Sequence, residues 1–201
     1  MTAVIKAWRL FGLLAAVISV TICLGLPLAD FHSVRGTEFI ILYSVLCALP
    51  FLLVAFTASS LVVLWPSSAT RWILVNRRYI GLAFAFGMAW HFVFVGYFMA
   101  SFGNRLRWFD LTLDIVGACF LFTMTLTSFR RFSRHLSPSN WRRLHKTGIY
   151  TLWLLPTYFF LDDYLETQQP YWLALFAVLL AAVLLRFLAW RRRSVVLRSA
   201  V

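Results

Sequence analysis

The chain has 201 residues, of which 62% are apolar and 13% are charged, and its formal net charge is +12. Soluble globular domains are typically about 45–50% apolar and about 25% charged, so this composition excludes a single water-soluble domain. The length allows about six membrane spans of about 20 residues with short loops, and no catalytic domain of ordinary size in addition.

Apolar stretches without charged side chains recur along the chain and predict six membrane-spanning helices. In chain order the stretches are Leu10–Ala29, Phe39–Trp65, Tyr79–Asn104, Ile115–Phe129, Thr147–Leu161 and Pro170–Leu185. The first is about 20 residues long and lacks a good small-x-small cleavage site, so we interpret it as a retained span rather than a secretory signal. The predicted fold is an all-α bundle of six transmembrane helices, a single integral membrane domain over residues 1–201.

Basic side chains alternate between the loops and predict the orientation of the bundle. The N-terminal segment, the second loop (Arg71, Arg77 and Arg78), the fourth loop and the C-terminal segment carry most of the 19 Lys and Arg residues. All seven acidic residues are predicted on the other side. Both termini are therefore expected in the cytoplasm. Anionic membrane lipid is the expected counter-charge, and no nucleic acid partner is indicated. Arg186, at the end of the sixth stretch, is expected to snorkel to the interface.

Few residues have the chemistry of a metal ligand. The three cysteines lie within apolar stretches without CxxC spacing, which supports neither a disulfide framework nor a zinc site. His32 and His135 lie in predicted loops without a neighbouring ligand at metal-binding spacing. His91 lies about 13 residues beyond Arg78 in the third span, which places it near the bilayer centre at about 1.5 Å per residue. An ionisable residue at that depth is a candidate functional site.

Two interpretations of His91 are open on composition alone. A neutral imidazole can hydrogen-bond to a carbonyl or hydroxyl group of a neighbouring helix. It can also ligate a haem iron, because Gly87 lies one turn earlier on the same face and aromatic side chains surround both residues. His145 is ambiguous as well. Ser137 and Pro138 predict that the fifth helix begins before its apolar stretch, which puts His145 close to the headgroups.

Several spaced motifs follow the order of a known family. They are RRYIGLAFAFGMAWH in the third span, with Arg77, Arg78, Gly81-Leu82 and His91; Thr127-Ser128 at the end of the fourth; and Trp141, Leu144-His145, Tyr150 and Pro156 in the fifth. Over about residues 70–165 the chain resembles the ferric reductase-like transmembrane superfamily. Within it, the chain is similar to the haem-binding membrane subunit of the periplasmic methionine sulfoxide reductase system, the MsrQ/YedZ family.

The resemblance implies a six-helix protein that binds haem b and passes electrons across a bacterial inner membrane. His91 and His145 take the positions of axial ligands to the metal, and Arg77 and Arg78 match the paired arginines of the family. Family members carry a further histidine where this chain has Tyr158, so the usual ligand set is incomplete.

The depths of these residues leave several ligand sets open. Counted from the preceding arginines, His91 lies deeper than His145 by about 16 Å along roughly parallel helices, which one iron cannot bridge. Tyr158 is level with His91. Haem can be held between His91 and a Tyr158 phenolate, or by His91 alone; a shifted fifth helix can bring His145 deeper; or the site is degenerate.

Electron donors and acceptors are expected on other chains. The sequence has no GxGxxG motif or P-loop, and only about ten residues follow Trp190, so no nicotinamide or flavin domain is expected after the last span. In the resembling family the donor is a cytoplasmic flavin (FMN) reductase or membrane quinol, and the acceptor is a periplasmic molybdenum subunit.

Three functions are considered for the chain. The first hypothesis is a non-catalytic haem b electron-transfer subunit of an oxidoreductase. The alternative is a haem-free membrane scaffold or assembly subunit. A small transporter or channel is the weakest hypothesis, because no buried carboxylate or charge pair lines a predicted span.

Overall fold

The computed structural model describes residues 8–103 and 107–198, with side chains as far as residue 193. Every regular element in those ranges is a helix. The helices are α1 (Trp8–Gly25), α2 (Val34–Leu64), α3 (Ser68–Phe102), α4 (Trp108–Thr127), α5 (Arg130–Ser133), α6 (Pro138–Thr167) and α7 (Pro170–Arg198), with a single 3-10 turn at Leu26–Leu28 after α1. The predicted all-α class is confirmed.

Within residues 8–103 and 107–198, five segments are long and apolar enough to cross a membrane. They are Trp8–Leu28, Val34–Leu64, Ser68–Phe102, Trp108–Thr127 and Pro170–Arg193. These segments correspond to five of the six predicted stretches. The remaining stretch, Thr147–Leu161, lies within α6, where arginines precede it and Asp162 and Asp163 follow it directly. By the length and composition of its helices, the chain is a multi-pass membrane protein.

Several charged residues that were expected in loops lie in helices instead. Helix α3 begins at Ser68, so Arg71, Arg77 and Arg78 are helical. This early start has a local cause, because Ser67 Oγ accepts from the Thr70 N–H at 3.1 Å and Thr70 Oγ1 accepts from the Ser67 N–H at 3.0 Å. Such reciprocal bonds satisfy N–H groups that a helix start leaves unpaired. Lys6, Asn104 and Arg105 lie outside the described residues.

The start of α6 confirms the cap predicted from the sequence. Ser137 Oγ accepts from the Asn140 N–H at 3.2 Å, and Pro138 occupies the first helical position. The helix therefore begins well before its apolar stretch and includes His145. It ends at Thr167, where Gln168 adopts a left-handed conformation and donates its N–H to the Tyr164 carbonyl.

The described residues within Met1–Leu52 and Asn76–Leu111 form one compact unit, called unit 1 below. Its core consists of buried apolar side chains from α1, α2 and α3: Ile18, Ile22, Ile40, Ala83 and Phe94. Tyr43 on α2 covers Gly25 on α1, and its hydroxyl donates to the Thr21 carbonyl at 3.1 Å. A small residue thus lets an aromatic ring lie against the backbone of α1.

The described residues within Leu53–Val75 and Thr112–Val201 form a second compact unit, called unit 2. Here α6 packs against α7: the ring of Phe160 lies 5.7 Å from that of Trp172, and the Trp153 indole donates to the Leu179 carbonyl at 2.9 Å. Helix α4 meets α6 at two glycines, Gly117 and Gly148, whose hydrogen atoms face side chains of the other helix.

Candidate functional site

His91 lies on the buried face of α3 in unit 1. The buried residues of this helix follow the helical period and are Asn76, Ile80, Leu82, Ala83, Phe84, Gly87, His91, Phe94 and Phe98. The residue is only 7% exposed. Most of its neighbours on this face are apolar, so His91 is held in surroundings of low polarity, where a neutral ring is favoured over a charged one.

A backbone carbonyl of α2 orients the His91 ring. Nδ1 lies 3.4 Å from the Ile41 carbonyl oxygen, which also accepts from the Ser44 hydroxyl at 2.6 Å. A carbonyl only accepts hydrogen bonds, so this contact requires the proton on Nδ1 and leaves Nε2 with the lone pair. Metal-bound histidines commonly use this arrangement, with one nitrogen donating to a carbonyl and the other ligating. The donor chemistry of His91 therefore fits a haem iron.

Gly87 lies at a close crossing of helices rather than beside an open slot. A Cβ atom added to Gly87 would lie 2.8 Å from Cβ of Ala48 and 3.3 Å from its Cα, and 3.7 Å from Cγ2 of Ile18. Helices α2 and α1 thus fill the space directly over this glycine. The space directly over Gly87 is occupied by these helices, and the cofactor-binding role of Gly87 stays a prediction.

His145 lies in unit 2, in the N-terminal part of α6, and its side chain contacts the end of α4. Its Nε2 is 3.0 Å from the Thr127 hydroxyl oxygen, and its ring stacks on Trp141 with 4.2 Å between centroids. The Trp141 indole in turn donates to the Thr127 carbonyl at 3.1 Å. These contacts join α6 to the last turn of α4. Ligation of a metal through Nε2 would require that nitrogen to leave Thr127.

Tyr158 is half-buried on α6, and its ring meets that of Phe159 edge-on at 5.3 Å. His145 and Tyr158 are separated by about 20 Å along α6, so they cannot ligate the same iron. His91 belongs to unit 1 and His145 and Tyr158 to unit 2, and each is described in its own surroundings. Among the described residues, no group of three or more His, Cys, Asp or Glu side chains could hold a metal ion.

The paired arginines lie on α3, in the part that belongs to unit 1. The guanidinium of Arg78 is 5.9 Å from the ring centroid of Trp8 and 5.6 Å from that of Tyr79. Trp8 and Tyr79 also meet edge-on at 5.5 Å. Aromatic and basic side chains of this kind anchor helices at a membrane surface. Arg77 is half-buried and also interacts with other residues of the chain.

Unit 2 contains a cluster that the sequence did not predict. Arg186 on α7 donates through Nε to the Tyr150 hydroxyl at 3.1 Å and through Nη1 to the Phe56 carbonyl. Its guanidinium lies 4.5 Å from the ring centroid of Phe56 and 4.8 Å from that of Tyr150. The sequence analysis expected the Arg186 side chain to reach the membrane interface and assigned it no partner within the chain. The available signal was the position of Arg186 inside the apolar part of α7, because a charge there needs partners.

Comparison of the chain with models of known families, with curated proteins and with solved structures found no match. The resemblance to the ferric reductase-like superfamily stays a prediction carried by the motifs quoted above.

Proposed function

We propose that the protein is a haem-b-binding membrane subunit that transfers electrons from a separate donor towards the opposite side of the bilayer. The observation that carries the proposal is the buried His91, whose Nδ1 contacts the Ile41 carbonyl and whose Nε2 keeps its lone pair. The family resemblance supports the same residue as an axial ligand. When bound, haem supplies the one-electron redox chemistry.

The residues around His91 have defined parts in this proposal. His91 would hold the iron through Nε2, and the Ile41 carbonyl would orient the imidazole and increase its basicity. Phe84, Phe94 and Phe98 are buried on the same helix and would exclude water from His91. Solvent exposure and local polarity both influence the reduction potential of such a site.

The finer topology belongs to the same proposal. Helix α6 has 30 residues and is about 45 Å long, which is sufficient to cross a bilayer as a sixth span. Both termini then lie on the cytoplasmic side of a bacterial inner membrane. The electron donor is a separate flavin reductase or quinol, and the acceptor is a periplasmic redox subunit. The basic segment around α5 would face the donor.

Absorbance of the purified protein tests the proposal. The full chain, purified in detergent from haem-replete cells, should show a Soret band that responds to dithionite and a pyridine haemochromogen of b type. His91→Ala should abolish both signals. His135→Ala is the matched control, because His135 is exposed, contacts the neighbouring Arg134 and should leave the band unchanged. His145→Ala and Tyr158→Phe in the same assay measure the contribution of the other two candidates. Retention of the full band in His91→Ala would contradict the proposed ligand.

A haem-free scaffold is the second candidate, and the close contact of Gly87 with Ala48 favours it. In this candidate His91 serves helix packing through its contact with Ile41. The wild-type protein would then contain no chromophore, and His91→Ala would still capture the same partner proteins as wild type. Absence of haem in protein from haem-replete cells would refute the first candidate and select this one.

A further inference from the structure

Arg186 carries a permanent positive charge within the apolar part of unit 2. Its side chain is half-buried and contacts one carbonyl, one phenol and two ring faces. A guanidinium group has more N–H donors than these two hydrogen bonds use. Carbonyl, phenol and ring contacts stabilise a cation, but they supply no negative charge to neutralise it.

The acidic residues of unit 2 lie far along the helices from this cluster. On α6, Asp162 is about 18 Å beyond Tyr150, and Glu166 is about 24 Å beyond it. Asp114 lies near the start of α4, about 15 Å from Met124, whose side chain lies over Gly148, which is close to Tyr150 on α6. In the part of the chain that the structure describes, none of these carboxylates pairs with Arg186. Asp163, next to Asp162, is equally distant along α6, so no described carboxylate of unit 2 neutralises Arg186 and an external anion is the candidate partner.

Two further arginines extend the positive charge along the same helix. Arg192 donates to the Leu64 carbonyl at 2.9 Å, and Arg193 donates to the Ser59 carbonyl at 3.2 Å. Both carbonyls belong to the last turns of α2, where the helix dipole is negative. Arg193 is seven residues after Arg186 and therefore lies on the same stripe of α7, about 10 Å away along the axis. The partial charge of one helix end is smaller than the charge of three arginines.

The position of this stripe matches that of a phospholipid headgroup. The candidate span of α7 runs from Pro170 to Arg193, about 36 Å, whereas the hydrocarbon core is about 30 Å thick. With the hydrocarbon core centred on this span, Arg186 lies about 7 Å inside its edge and Arg193 lies outside it. Local thinning of the bilayer brings headgroups to charges at such a depth. Basic pockets between membrane helices on the cytoplasmic side are typical sites for anionic lipid headgroups.

We propose that Arg186 and Arg193 on α7, together with Tyr150 on α6, bind the phosphodiester of an anionic phospholipid. The phosphate accepts hydrogen bonds from N–H groups that the Phe56 carbonyl and the Tyr150 hydroxyl leave available. The lipid then acts as a bound structural partner that neutralises the cluster. This site does not depend on haem, so its test is independent of the test of the proposed function.

Native mass spectrometry of the full chain tests the site. Wild-type protein taken from nanodiscs of phosphatidylcholine and phosphatidylglycerol should retain phosphatidylglycerol at collision energies that remove phosphatidylcholine. Arg186→Gln should lower the retained phosphatidylglycerol about tenfold, the expected effect of losing one charge-assisted contact. Arg71→Gln is the control, because Arg71 is an exposed basic residue of unit 2 outside the Arg186 cluster, and this variant should retain lipid as wild type does.

Two further arms keep the result decisive. If Arg186→Gln does not fold, Arg186→Lys keeps the charge but not the forked donor geometry, and it should also weaken retention relative to Arg71→Lys. Excess inorganic phosphate should not displace the lipid; displacement would overturn the lipid as the source of the phosphate. Equal retention of phosphatidylglycerol by wild type, Arg186→Gln and Arg71→Gln, or no preference of wild type for phosphatidylglycerol, would overturn the proposal.

Discussion

The two compact units bury polar groups of different chemistry. In unit 1, His91 is a group that can exist without charge, and one backbone carbonyl on α2 is its hydrogen-bond partner. In unit 2, Arg186 is always charged, and it has a carbonyl, a phenol and two aromatic rings around it. A neutral imidazole in an apolar bundle needs little more than one acceptor, whereas a guanidinium needs several partners and an anion.

The units also differ in how their glycines bring helices together. Gly87 of unit 1 faces the Cα and Cβ atoms of Ala48, which belong to a helix and cannot move independently. Gly148 of unit 2 faces the sulfur and Cγ of Met124, the flexible end of a long side chain. We therefore expect unit 1 to be the less tolerant of added volume between helices.

Gly87→Ala should have the largest effect, because its new methyl group would lie 2.8 Å from the Ala48 Cβ. Overpacking of this kind costs about 1–3 kcal/mol in free energy of unfolding, and we expect the upper end of that range because the Ala48 atoms belong to a helix and cannot move aside. Thermal and denaturant unfolding in detergent measure it. Gly96→Ala on the same helix is the control, since nothing lies within 4 Å of its Cβ position, and it should be neutral or stabilising. Gly148→Ala should cost less than Gly87→Ala, and the reverse order would contradict the comparison of the units.

Tyr150→Phe should have the next largest effect, because it removes the acceptor of the Arg186 Nε hydrogen bond and keeps the ring. Hydrogen bonds to charged groups contribute about 1.5–3 kcal/mol. The same substitution in an Arg186→Gln background should cost much less, and the difference measures the coupling of the pair in a double-mutant cycle. An equal cost in both backgrounds would show that Tyr150 acts independently of Arg186.

The helices of the chain were largely predictable from sequence, because long uncharged stretches and the Ser137-Pro138 cap are local signals. The ends of the helices were less predictable. Arg71 and Arg78 are charged and were assigned to a loop, but the reciprocal Ser67 and Thr70 bonds start α3 before them. Charge indicates on which side of a membrane a segment lies, not where a helix ends.

The partners of the candidate site residues were not predictable in the same way. His91 was identified from its depth in the third span, yet the carbonyl that it contacts belongs to Ile41, fifty positions earlier. The cluster at Arg186 joins α7 to Phe56, more than a hundred positions away. Such contacts depend on how helices pack, which a single sequence without a partner motif does not specify.

Trp141→Phe should have a smaller effect in unit 2. It keeps an aromatic ring against His145 but removes the indole N–H that donates to the Thr127 carbonyl. The expected loss is about 1 kcal/mol in free energy of unfolding, that of one neutral hydrogen bond. Trp190→Phe is the control, because Trp190 is 64% exposed and should change stability little. Equal effects of the two substitutions would argue against a specific contact between α4 and α6 at Thr127.

The smallest expected effect concerns Asp30 of unit 1, which lies outside the membrane-spanning segments. The neighbouring Ser33 hydroxyl and a hydrogen bond from the His32 N–H lower the pKa of this carboxyl below its usual value of 3.8. A carboxylate with a lowered pKa stabilises the fold above the usual value, and that contribution is lost as the pH falls through the lowered one. The carboxyl is exposed, so solvent screens the effect and the change in stability should be small.

Two variants test this contribution of Asp30. Ser33→Ala should raise the pKa of the Asp30 carboxyl towards 3.8, as measured by the carboxyl carbon chemical shift between pH about 2 and 6. In Asp30→Asn the slight loss of thermal stability at low pH should disappear, whereas an unchanged acid response in this variant would assign it to another group.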